Sequence, residues 1–209
     1  MFLDDLHAVR HGRVTELGCG DGRLAALLRE RGVRPLLLDR RRPWQGTSAE
    51  VVADACRPPL RAGGWNLVLA ASLLRHVHRP RPGEPVPRPW ADLVAPGGSL
   101  WVFEDEPLSR PRPARNYRDL QGFLSRVVAG RRPLLSRREF AAACRDGRGT
   151  WRLGSQENRW PVDTAAVLQL LRGTGPVSAG EAERLCTAIA SHGLSYGRFW
   201  WARWSPEVR

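Results

Sequence analysis

Short apolar runs alternate with helical periodicity through the first hundred residues. Val14 to Leu17, Pro35 to Leu38, Val51 to Val52, Asn66 to Ala71 and Ser99 to Glu104 read as buried strands. Between the first two, Arg23 to Arg31 places Leu24, Leu27 and Leu28 on one helical face, and Gly32 follows where a C-cap glycine belongs. Strand, helix and strand in succession predict a parallel sheet. The proline-rich run from Arg79 to Pro89 excludes helix and central strand, and is expected to form an extended surface loop.

Beyond residue 106 the pattern becomes helical. Helices are expected over Arg118 to Ala129, Arg137 to Arg145, Asp163 to Arg172 and Glu181 to Ser191. Ser136 with Glu139, and Ser178 with Glu181, have capping-box spacing, in which each side chain satisfies a free N–H of the first turn. Thr150 to Trp160 and Tyr196 to Trp204 read as late, aromatic-rich strands, with Trp200, Trp201 and Trp204 assigned to core and sheet surface. Residues 106–118, with three prolines among four arginines, are expected to be irregular.

Composition narrows the field. At 209 residues with 42% hydrophobic and 26% charged positions, the chain suits one domain and is not a disordered segment. No run reaches the roughly 18 apolar residues that cross a membrane, so no membrane partner is expected. The acidic start Met1 to Asp5 lacks the basic region of a signal peptide, which points to the cytoplasm. Cys19, Cys56, Cys144 and Cys186 lie far apart and indicate neither a zinc site nor a disulfide framework. The net charge of +12 would suit a polyanion, yet all 33 basic residues are arginines dispersed along the chain. Nucleic acid is therefore not the favoured partner. Without lysine, Schiff-base chemistry and a P-loop are excluded.

The segment that carries chemistry is Glu16-Leu-Gly18-Cys-Gly20-Asp-Gly22, a strand entering three alternate glycines and then a helix. Such a turn lets a ligand approach the backbone, beside the unpaired N–H groups of a helix start. The third glycine comes one residue too early for the dinucleotide fingerprint. Instead the sequence resembles the class I (Rossmann-like) S-adenosylmethionine-dependent methyltransferases, whose first motif is an acid, one apolar residue and G-x-G-x-G. Further landmarks follow in order: Asp39 after the second apolar run, Asp54 in Val-Val-Ala-Asp-Ala, the strand from Trp65 to Ala71, and the Pro96-Gly97-Gly98 turn into the fifth strand. They cover residues 12–106, about half the chain.

The resemblance implies an α/β fold with a mostly parallel seven-stranded sheet, helices on both faces and helical insertions in the C-terminal half. It implies a single domain over 1–209, with residues 1–106 binding S-adenosylmethionine and 107–209 covering the acceptor side. Under it, Glu16 faces the methionine end of the cofactor, Gly18, Gly20 and Gly22 cradle it, Asp39 takes the ribose hydroxyls and Asp54 the adenine amino group. Ala55 and Ala71 line the site, and His76, after the fourth strand, is a candidate catalytic residue; no metal is expected. Ala70-Ala71-Ser72 stands where methylases of exocyclic base nitrogens carry Asn/Asp-Pro-Pro-aromatic. The leading expectation is therefore methyl transfer to an O or N atom of a small molecule. RNA or protein as acceptor, and a non-catalytic cofactor-binding module or partner subunit, are the alternatives. The acceptor and the oligomeric state are not legible in the sequence.

Overall fold

The computed structural model describes residues 12–42, 48–106, 111–128, 132–144, 149–157, 162–172 and 179–206. The Ser178 half of one capping box lies outside them.

Seven strands form one sheet in the order β3-β2-β1-β4-β5-β7-β6. These are β1 (Val14–Leu17), β2 (Leu36–Asp39), β3 (Val51–Val52), β4 (Trp65–Ala71), β5 (Val94–Asp105), β6 (Thr150–Glu157) and β7 (Arg198–Ser205). The first five pair in parallel, so their carboxyl ends share one edge. This is the α/β architecture expected, and the strand order reverses beside β1, where such sheets open a crevice for ligands. The four residues of β1 are all buried, as a central strand covered on both faces requires.

By internal packing the chain divides into two compact units, one of residues 1–103, 138–153 and 201–209, the other of 104–137 and 154–200. In the first, α1 (Arg23–Glu30) packs Leu28 with Val14, Val33, Leu67, Leu69 and Trp101, while Ala25 joins Cys19, Leu37 and Ala49. Trp101 also stacks on Phe103 and lies 5.3 Å from Trp201, centroid to centroid.

Helix α5 (Arg137–Ala143), from Arg138 on, belongs to the first unit, and the second is built on α4 (Arg112–Val127), α6 (Thr164–Arg172) and α7 (Ala179–His192). Their apolar faces meet through Leu120, Phe123, Leu124, Leu171, Leu185 and Ile189. Asn116 Nδ2 donates to the carbonyls of Ala188 and Gly193 at 3.0 and 2.9 Å, tying α4 to the last turn of α7 and to the residue after it. Tyr117 Oη donates to Asp105 at 2.9 Å, and Trp200 Nε1 to the Leu135 carbonyl at 2.7 Å.

Three expectations need correction. The stretch 106–118 is not irregular throughout, because α4 starts at Arg112, six residues earlier than the periodicity suggested. Pro111 is its N-cap and Pro113 lies in its first turn, where a missing N–H breaks no helical bond. The proline-rich run is not a plain surface loop: Pro85, Val86 and Pro87 are buried, and Arg88–Asp92 forms a short helix, α3, with Trp90 fully buried. The fifth strand begins at Val94, before the glycine turn, and reaches Asp105.

Candidate functional site

At the carboxyl end of β1 the chain turns away through Gly18, Gly20 and Gly22, with φ of 67°, 54° and 80°. Left-handed backbone at alternate positions is open to glycine and costly for other residues. The turn is tied to β2 by the N–H groups of Gly18 and Cys19, which both donate to the Leu38 carbonyl at 2.7 and 3.0 Å. Ser48 holds it from the far side, its N–H donating to Gly20 O and its hydroxyl to Asp21 O.

The glycines serve different neighbours. A Cβ on Gly18 would lie 2.6 Å from Leu73 Cδ1, and one on Gly22 would lie 2.5 Å from Ser48 Oγ. Over Gly20 the space is open, with Arg41 Nη2 at 3.6 Å as the described atom within reach. Gly20 is therefore the position at which the backbone is bare toward a ligand.

Two carboxylates flank this turn. Glu16, on β1, is 2% exposed and accepts the N–H of Ala25 in the first turn of α1, while its Oε2 has no hydrogen-bond partner among the described residues. Burial pushes its pKa up to about 8, and neighbouring Asp21 adds to the rise. Arg29 and the Ala25 N–H pull the other way. A buried carboxyl oxygen without a partner is costly, and beside a cleft it is a candidate ligand contact. Trp65 Nε1 and Glu106 Oε1 are also buried without a hydrogen-bond partner among the described residues, Trp65 at the amino end of β4, opposite the glycine turn, and Glu106 just past β5. Asp39 ends β2, and its Oδ2 accepts Gly20 N–H at 3.0 Å while Oδ1 accepts Arg41 N–H at 2.9 Å.

The remaining expected residues stand on adjoining strand exits. Asp54 is exposed, and its Oδ1 accepts Cys56 N–H at 2.9 Å in a tight turn. Ala55 is buried, and its carbonyl accepts Trp90 Nε1 at 2.7 Å. Ala71 closes β4 in register with Phe103. His76 lies on the single-turn helix α2 (Leu74–Val77), where its Nε2 accepts Arg75 Nε–H at 3.2 Å. Sequence reasoning thus located Glu16, the three glycines and Asp39 as one cluster, with Asp54 in its own turn beyond β3.

It missed Arg41, and it named Ser72 as a polar group at a strand end without its backbone strain. Ser72 is exposed at the exit of β4 with φ of 51°, and it delivers Leu73 against Gly18. A strained serine leaves no local signature, whereas the Arg40-Arg41-Arg42 run after Asp39 was a signal available in the sequence.

No protein-family model matches the sequence, and no curated protein matches it. Solved structures do. A cyclopropane-fatty-acyl-phospholipid synthase-like protein from Lactobacillus casei superposes with a TM-score of 0.61 at 16% identity, over 95% of this chain and 88% of that one. A SAM-dependent methyltransferase from Thermotoga maritima gives 0.56 at 17%, over 99% and 89%. A geranyl diphosphate methyltransferase, in complex with SAM, gives 0.54 at 14%, over 98% and 82%. At these identities the likeness is one of fold, and it spans nearly the whole chain. The chain has the fold of the class I, Rossmann-like S-adenosylmethionine-dependent methyltransferases.

Proposed function

We propose that the chain binds S-adenosylmethionine across the carboxyl ends of β1 to β4 and transfers its methyl group to an O or N atom of a small molecule. The observation that carries this reading is Glu16, a buried carboxyl with one oxygen unpartnered among the described residues, beside a glycine turn bare at Gly20. These features fit the cofactor: a cationic amino-acid end would give Glu16 the partner it lacks, and the ribose diol suits Asp39. Gly18, Gly20 and Gly22 would cradle the ligand, Asp54 would accept from the adenine amino group, and Ala55 and Ala71 would line the pocket.

The cofactor, when bound, supplies an electrophilic methyl group on a sulfonium. The chain's task is then to hold the acceptor in line with that methyl and to exclude water, and alignment of this kind is worth up to about 7–11 kcal/mol. His76 fits a positioning role better than that of general base, because its Nε2 lone pair is occupied by Arg75. An acceptor with a labile proton would lose it late or to solvent.

Calorimetry with S-adenosylmethionine tests the reading directly. The wild-type protein is expected to bind, and Asp39→Ala to weaken binding by about 1.5–3 kcal/mol, the scale of hydrogen bonds to a charged group. Unchanged binding in the variant would remove Asp39 from the ribose. Acceptor binding that falls steeply and linearly with log salt would point to a phosphate-bearing macromolecule in place of a small acceptor.

A further inference from the structure

The carboxylate proposed for the ribose is already engaged by the chain itself. Asp39 receives Gly20 N–H on Oδ2 and Arg41 N–H on Oδ1, and the Arg41 Nε lies 3.6 Å from that same Oδ1. Backbone N–H groups take two of the carboxylate's roughly four acceptor positions, which leaves two for a diol, and the guanidinium stands at ion-pair distance from one of those oxygens, where the diol would have to donate. The same arginine also reaches over the glycine turn, its Nη2 lying 3.6 Å from where a Gly20 Cβ would be. One side chain therefore covers both the acid and the bare backbone. It is loosely held, being half exposed, whereas the Asp39 side chain is 10% exposed.

We propose that Arg41 is an internal stand-in for the cofactor's ribose, so that its guanidinium must leave Asp39 and Gly20 before adenosine can occupy them. Arg41 then sets cofactor affinity by competition. This rests on the proposed function and deepens it. The Arg41 backbone N–H stays in place when the side chain is trimmed, so the competition resides in the guanidinium alone. A half-exposed ion pair is weak and screened by salt. The wild-type affinity should therefore rise with ionic strength.

The test is calorimetry on wild type and Arg41→Ala with two probes, S-adenosylmethionine and adenosine, with melting curves confirming that the variant is folded. Adenosine carries the diol without charge. At about 50 mM salt, Arg41→Ala is expected to bind both probes about two- to five-fold more tightly, the range of an exposed ion pair. The wild type should close the gap by about 500 mM, where the screening length is a few ångströms. Equal or weaker binding by Arg41→Ala overturns the proposal. Tighter binding of S-adenosylmethionine alone overturns it too, since that pattern is repulsion between two cations. If wild type binds and the variant shows no gain, competition fails while the cofactor reading stands; if neither protein binds either probe, the cofactor reading falls and takes this one with it.

Discussion

The helix α4 and the exit of β1 bury polar side chains, and they treat them in opposite ways. In the helical unit, Asn116 spends both donors on carbonyls at the end of α7, and the Tyr117 hydroxyl is fixed on Asp105. At the exit of β1, Glu16 is buried as deeply but keeps an oxygen unpartnered among the described residues, with its proton affinity raised by burial. The first arrangement lowers the free energy of the fold. The second raises it, and is stable only because the strand and helix around it are fixed by other contacts. The contrast separates polar groups that build this molecule from those held ready for a ligand.

The largest effect that would test the contrast is the pH dependence of Glu16. Its carboxyl is raised from 4.5 to about 8, so between those values the folded chain keeps a proton that the unfolded chain has lost. Stability then falls as pH rises through this window, and the contribution present below about 4.5 is gone above about 8. Relative to wild type, Glu16→Gln should be near neutral at pH 5 and more stable at pH 8.5, by up to about 5 kcal/mol. Melting curves of the pair across pH read this out, and parallel curves would show that Glu16 is already ionised in the fold.

Next in size is Gly18→Ala, which places a Cβ 2.6 Å from Leu73 at a left-handed φ. A loss of about 2–4 kcal/mol is expected from strain and overpacking together. Adding Leu73→Ala should restore the packing part and leave the backbone part, and a double variant no better than the single one would mean that the two side chains do not compete.

Asn116→Ala probes the other region. Losing both of its hydrogen bonds to the end of α7 should cost about 1–3 kcal/mol of stability and leave S-adenosylmethionine affinity unchanged at temperatures where the protein stays folded. A matching loss of affinity would erase the distinction between the regions. The smallest effect belongs to Ser72. Ser72→Gly trades strain for chain entropy, and denaturant midpoints should place it within about 1 kcal/mol of wild type, whereas Ser72→Val should be clearly worse.

The sequence revealed most where the signal was local. β1 and β3 match their apolar runs residue for residue, and the glycine turn was legible because alternate glycines between a strand and a helix have few other uses. Helix starts at proline were missed, since Pro111 and Pro113 were read as breakers when a first turn tolerates them. The burial of Pro85 to Pro87 depends on tertiary contacts that no periodicity reports. At the site, residue types were legible but their partners were not. Asp39 could be named, yet that Gly20 and Arg41 already occupy it is a fact of three-dimensional proximity between the β1 and β2 exits.

The closeness of Gly22 to Ser48 has a consequence in evolutionary terms. Ser48 grips the turn with its N–H and its hydroxyl, and its Oγ stands where a larger residue at position 22 would place its first carbon. The two positions, 26 apart in the chain, are thus sterically coupled, and substitutions at them are expected to be tolerated together and not singly. A lineage that enlarges one must shrink or re-aim the other, and the connection between β2 and β3 inherits part of the glycine turn's intolerance to change even though it carries no glycine motif of its own.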